Sequence, residues 1–104
     1  MKTPYIHIYG QYGNHDDVFI IGNKEGLIAL SDALDVVSAE WNNDTIGVDI
    51  FTCDGEGYKI IIKRVNDKDM EQLMLPYTEG YGNWKGNSPI DLIGKEAYRK
   101  LFGK

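Results

Sequence analysis

The chain reads as an α+β domain, with about four strands in the order β-β-α-β-β, one long helix on a sheet face and short helices towards the C-terminal end. Three patterns predict this. Two pairs of short runs rich in β-branched and aromatic residues flank one long stretch of helical period. Turn residues separate the members of each pair. At 104 residues there is length for one domain with one core.

Tyr5-Ile6-His7-Ile8-Tyr9 alternates in the way of a half-buried strand. Residues 10–17 form a polar, glycine-bearing connection. Val18-Phe19-Ile20-Ile21 is then apolar on both faces and reads as a central strand, paired with the first as an antiparallel hairpin. Gly22-Asn23 ends it. Asn23 suits a helix N-cap, and Glu25 suits the first turn, where a carboxylate complements the helix dipole. From Lys24 to about Trp41, Leu27, Leu30, Leu34, Val37 and Trp41 recur at three- and four-residue steps, which predicts a helix with that stripe in the core.

Ile46, Val48 and Ile50 alternate with Gly47, Asp49 and Phe51, a strand with one core face. Asp54-Gly55 signals a hairpin turn, lengthened or bulged by Glu56-Gly57, and Tyr58 to Val65 returns as the fourth strand. Asn66 to Asp69 opens a short helix with Met70, Leu73 and Met74 on one face, closed at Pro76. Residues 76–87 carry glycines and aromatics in a composition that seldom packs as regular structure. Ser88-Pro89-Ile90-Asp91 gives a cap, a proline at the first helical position and an acid at N3. Ile90, Ile93, Ala97 and Leu101 continue as a helical stripe interrupted by Gly94.

The formal net charge of −5 is unevenly placed. Between residues 24 and 54, Lys24 stands against Glu25, Asp32, Asp35, Glu40, Asp44, Asp49 and Asp54, whereas the remainder of the chain is nearly balanced. An acidic middle opposes direct binding of nucleic acid, since phosphates require a cationic face. A single cysteine, Cys53, excludes an intramolecular disulfide and a Cys-based zinc site. The start lacks an apolar leader, and no run is long enough to span a bilayer. These features predict a cytoplasmic protein without membrane attachment. A chain of this size can fold alone or gain stability as a homo-oligomer.

Four groups of residues are candidates for function. Tyr77, Tyr81 and Trp84, spaced by glycines and followed by Lys85, have the composition of an interaction hot spot, or of rings that cover a sheet face. Glu25, Asp32 and Asp35 lie opposite the apolar stripe of the helix, where they could meet a basic partner or simply face solvent. His7, His15, Asp16 and Asp17 form the only acid/base-like or metal-like set, but the spacing matches no ligand motif. Gly22 to Gly26 joins a strand to a helix as an anion site would, although Glu25 opposes a phosphate there. No catalytic residue, metal site or cofactor is assigned.

The run Ile20-Ile21-Gly22-Asn23-Lys24-Glu25-Gly26-Leu27, the helix after it and the strand pair 46–65 resemble small immunity proteins of bacterial polymorphic-toxin systems. The chain differs from that pattern in having no histidine between Ile46 and Thr52 and in its aromatic C-terminal third. The resemblance implies a non-catalytic inhibitory or immunity-type protein that binds a protein partner, a toxin or defence effector. Two alternatives remain open. One is a phage-type anti-defence protein that sequesters a small nucleotide-like signal in an oligomeric pocket, with Lys59, Lys63, Arg64 and Lys85 on its phosphates. The other is a small metal-dependent or acid/base enzyme using His7 and His15.

Overall fold

In a computed structural model, described here for residues 2–13, 15–39, 44–77 and 86–101, the chain is a mixture of helix and strand. It divides into two compact units, Met1–Tyr9 with Phe19–Arg64 and Gly10–Val18 with Val65–Lys104. No helix among the described residues is long and apolar enough to cross a membrane.

The first unit holds β1 (Ile6–Tyr9), β2 (Phe19–Gly22), α1 (Lys24–Ala39), β3 (Thr45–Phe51) and β4 (Gly57–Lys63). The expected single sheet is replaced by two antiparallel pairs, β1–β2 and β3–β4. A lone parallel bridge, Tyr5 to Phe51, links them, with Phe51 N–H donating to the Pro4 carbonyl at 3.1 Å. Pro4 and the start of β1 run beside β3 for too short a distance to extend the ladder.

The junction of β1 with α1 explains most of this geometry. The Asn23 side chain accepts from Gly26 N–H at 2.8 Å, which is the expected N-cap. The same oxygen accepts from Tyr5 N–H at 3.0 Å, and the amide nitrogen donates to the Thr3 carbonyl at 2.9 Å. The Asn23 backbone N–H donates to the Tyr5 carbonyl at 3.1 Å. A Cβ at Gly26 would lie 2.2 Å from that carbonyl oxygen, and one at Gly22 would lie 2.6 Å from it. Both glycines are therefore needed for close approach of backbone to backbone.

That approach corrects the expected helix stripe. The buried positions of α1 are Gly26, Ala33 and Val37; of the expected stripe Val37 is thus buried and Leu30 is half-buried, while Leu27 and Leu34 stay 43% and 48% exposed. With glycine against β1, the helix turns its smallest side inward and leaves two leucines on its flank. Trp41, expected to complete the stripe, lies outside the described residues. Ile6 and Ile50 are fully buried and, with Ala33 and Val37, form the centre of this unit. On β3–β4 the inward set is Ile46, Val48, Ile50, Tyr58, Ile60 and Ile62, as the register dictates. The Tyr58 hydroxyl donates to the Ile6 carbonyl at 2.7 Å, joining β4 to β1.

β2 departs furthest from expectation. Read as central, it pairs only with β1 among the described residues, and Phe19, Ile20 and Ile21 are 55%, 51% and 61% exposed. The helix leaves from the Gly22 end of the strand and packs mainly on the other sheet, so nothing in this unit covers the rest of β2.

The second unit contains α2 (Asp67–Gln72), α3 (Pro89–Ile93) and α4 (Lys95–Leu101). Asn66 caps α2, and Ser88 with Asp91 forms the expected capping box on α3. The expected terminal helix is split at Gly94, whose φ of 91° lies outside helical geometry and suits glycine. α2 ends at Gln72, before Pro76, because the chain is drawn into a bridge between Leu73 and Asn87. Asn87 N–H donates to the Gln72 carbonyl at 2.7 Å, and Met74 N–H donates to the Asn87 carbonyl at 2.8 Å.

The close approach at Gly26 is testable by urea denaturation. Gly26→Ala should destabilise by about 1–3 kcal/mol, the usual cost of overpacking. Gly10→Ala, which meets nothing within 4 Å, should be neutral or slightly stabilising. Equal effects of the two substitutions would refute the packing argument.

Candidate functional site

The loop after α2 is pinched at its base. The bridge between Leu73 and Asn87 closes it, and Gly86 sits where a Cβ would meet Met74 N at 2.6 Å and Gln72 O at 2.8 Å. Glycine at position 86 thus serves the chain's own pairing. Of the aromatic candidates, Tyr77 is described and is only 8% exposed, its ring edge-on to His15 at 5.7 Å between centroids. Tyr77 is therefore largely enclosed, and its neighbour His15 occupies a left-handed backbone conformation with φ of 62°. Tyr81, Trp84 and Lys85 lie outside the described residues.

Glu25 is half-buried in the first turn of α1, whereas Asp32 and Asp35 are exposed. Ile28, 49% exposed, shares their side of the helix at 100° per residue, so the acidic face carries an apolar residue as well. His7 and His15 belong to different units. Asp16 folds back on its own turn, accepting from Gly13 N–H at 2.7 Å. No group of three or more metal-ligating side chains occurs among the described residues. The strand-to-helix junction is likewise occupied: Asn23 N–H, Gly26 N–H and Leu27 N–H are each spent on bonds within the chain.

One concavity of the first unit takes in His7 alone of the residues singled out in the sequence. An open groove of about 450 Å³ is lined by His7, Tyr9, Thr52, Glu56, Gly57 and Tyr58. The hairpin turn of β3–β4 makes one wall. Thr52 N–H donates to the Glu56 carbonyl at 2.9 Å, and Gly55 N–H donates to the Thr52 carbonyl at 3.0 Å, with Gly55 at φ 93°. This is the lengthened form of the expected Asp54-Gly55 turn, and it presents the Cys53 amide to β1. Cys53 N–H donates to His7 Nε2 at 3.1 Å. Nε2 must then carry the lone pair, which assigns the proton to Nδ1, 3.1 Å from the Tyr9 hydroxyl. Both ring nitrogens of His7 are engaged, and the bond from Cys53 comes from its backbone rather than its thiol.

Within the turn, the Asp54 carboxylate accepts from the Thr52 hydroxyl and, at 3.0 Å, from Glu56 N–H. The Thr52 hydrogen bond is the main cause that holds the Asp54 carboxyl below the usual aspartate range, and the bond from Glu56 N–H adds to it. Burial pushes the Tyr58 hydroxyl up. Beside the groove, the register places His7, Tyr9, Phe19 and Ile21 on one face of the β1–β2 hairpin, with Tyr9 51% exposed. Sequence reasoning missed this surface because it assigned β2 to the interior. The available signal was the length of the run, since four apolar residues fit a hairpin arm as well as a central strand.

No protein-family model, curated protein or solved structure matches the chain.

Two measurements check the turn. In the neutral form of His7, imidazole ¹⁵N shifts should report the Nδ1–H tautomer; the Nε2–H tautomer would remove the bond from Cys53. The Asp54 carboxyl, followed by ¹³C NMR, should titrate below an ordinary aspartate and move up in Thr52→Val. Because the folded value is the lower one, any stabilisation from Asp54 is present above the ordinary aspartate range and is lost as pH falls through the folded value. An unshifted Asp54 in the Thr52→Val protein would contradict the assignment.

Proposed function

We propose that this chain is a non-catalytic inhibitory or immunity-type protein that binds a protein partner, such as a toxin or a defence effector. The observation that carries the reading is the face formed by Tyr9, Phe19 and Ile21, three large apolar side chains more than half exposed beside an open groove. Contiguous apolar surface of this kind marks interaction sites on small domains, and aromatic residues are the usual anchors. The resemblance of residues 20–27 to immunity proteins points the same way. The acidic side of α1, with Asp32, Asp35 and Ile28, supplies a second, charged surface suited to a basic partner.

The groove supports the nucleotide-sequestering alternative less well. Its volume falls within the usual range for small-ligand sites, and three rings line it. Its charged rim, however, is Glu56 with Asp54 nearby, which repels phosphate. Three of the four cations proposed for phosphate contacts are occupied within the first unit, and Lys85 lies outside the described residues. Lys59 pairs with Asp49 at 2.7 Å, Lys63 with Asp44 at 3.5 Å, and Arg64 donates to the Ser38 carbonyl at 3.2 Å. The engagement of both His7 nitrogens likewise supports binding over the acid/base alternative.

The test is co-expression with the protein encoded by the neighbouring gene, followed by purification and binding measurement. A stable complex is expected, and Tyr9→Ser with Phe19→Ser should raise Kd about tenfold or more, ~1.4 kcal/mol. Circular dichroism should stay unchanged, since both side chains are exposed. An unaltered Kd in the double variant would sink the assignment of the surface. A nucleotide released on denaturation of the purified protein, seen by mass spectrometry, would favour sequestration.

A further inference from the structure

We propose that the groove at the β3–β4 turn receives an arginine side chain of the protein partner, with its guanidinium against the tyrosine rings and paired with Glu56. The inference deepens the partner-binding reading and rests on it. The groove lies wholly within the first unit, where His7, Tyr9 and Tyr58 supply rings and Glu56 supplies a carboxylate. A ring face attracts a cation through its quadrupole, and a carboxylate attracts it by charge. Both ask for the same sign of ligand.

The other polar groups of the groove are already spent. His7 Nε2 accepts from Cys53 N–H at 3.1 Å, and its Nδ1 lies 3.1 Å from the Tyr9 hydroxyl. The Tyr58 hydroxyl donates to the Ile6 carbonyl at 2.7 Å, and the Thr52 hydroxyl donates to the Asp54 carboxylate. The carboxylate of Glu56 is different. It belongs to an exposed residue and has no ion-pair partner among the described residues. Lys59 and Lys63, the cations that follow along β4, pair with Asp49 and Asp44. The register also sets both of them on the face of β4 opposite Tyr58. The groove therefore holds an acid beside aromatic rings and no cation of the chain's own to answer it.

Charge complementarity makes the occupant basic, since Glu56 and Asp54 repel a phosphate or carboxylate. A lysine ammonium is compact and strongly hydrated. A guanidinium is planar and weakly hydrated, stacks on rings and holds a carboxylate through two parallel N–H donors. The volume of about 450 Å³ admits its apolar stem as well. Tyr9 belongs both to the groove and to the exposed face it shares with Phe19 and Ile21. A protein seated on that face thus carries its own side chain into the groove.

The probe is acetyl-arginine amide, titrated into the ¹⁵N-labelled full chain. Amide shifts should move at His7, Thr52, Gly57 and Tyr58 and stay fixed along α1. The citrulline counterpart, uncharged and of the same shape, should move none of them. Glu56→Gln and Tyr9→Leu should each raise the Kd of the probe about threefold or more. Asp32→Asn removes the same charge from the exposed side of α1 and should leave that Kd unchanged. Putrescine, a free diamine, should bind more weakly than the arginine probe. The proposal is overturned by absent shifts at the highest soluble probe concentration, by citrulline acting equally, by equal weakening in Asp32→Asn, or by tighter binding of putrescine. In the complex with the neighbouring gene's product, Glu56→Gln should raise Kd by the same factor. An unchanged Kd there would overturn the arginine site and leave partner binding intact. Probe binding by a chain that captures no partner would overturn the partner reading and leave the guanidinium site standing.

Discussion

Asn23 ties the first strand to the start of the long helix, and the arrangement of the first unit follows from that tie. Its side chain caps α1 through Gly26 and holds Tyr5 and Thr3. Three groups that would otherwise need water are satisfied by one side chain. Each such bond contributes only about 0.5–1.5 kcal/mol net, and those to Tyr5 and Thr3 are solvent-exposed, so the tie acts through their number and geometry. The geometry also makes Gly22 and Gly26 obligatory, since the Tyr5 carbonyl occupies the space that a Cβ would need.

Two consequences reach the surface. With glycine against β1, α1 buries Gly26, Ala33 and Val37 and leaves Leu27 and Leu34 on its flank. Because the helix leaves from the end of β2 and packs mainly on β3 and β4, the outer part of the first hairpin remains uncovered. The exposed face of Tyr9, Phe19 and Ile21 thus arises from the same constraint. A fold that spent α1 on covering β2 would not present it.

Sequence and structure agree where a local rule decides the outcome. The Asn23 cap, the Asn66 cap and the Ser88–Asp91 box were legible because each is a hydrogen bond between neighbours in the chain. The alternation at Ile46, Val48 and Ile50 likewise sets a face without reference to anything distant. The departures are long-range. The leucine stripe scored the helix by hydrophobicity, whereas a backbone contact with Tyr5, eighteen or more positions away, selected the small side. β2 was read as central because apolar residues on both faces signal burial, but the sequence carries no signal of how far a helix will cover them. The groove was invisible for the same reason: His7 and Cys53, forty-six positions apart, meet only through tertiary placement. The sequence marks Gly94 as an interruption within one helix, and its positive φ makes it a break between two.

The central claim, that Asn23 clamps β1 to α1, is tested most directly by amide hydrogen exchange at Tyr5 and Gly26. In the wild-type protein both amides should be protected. Asn23→Ala should accelerate exchange at both together, because one oxygen accepts from both. Asn23→Asp keeps that oxygen and should preserve their protection, while the bond to Thr3 is lost. Unchanged protection at Tyr5 in Asn23→Ala would contradict the account.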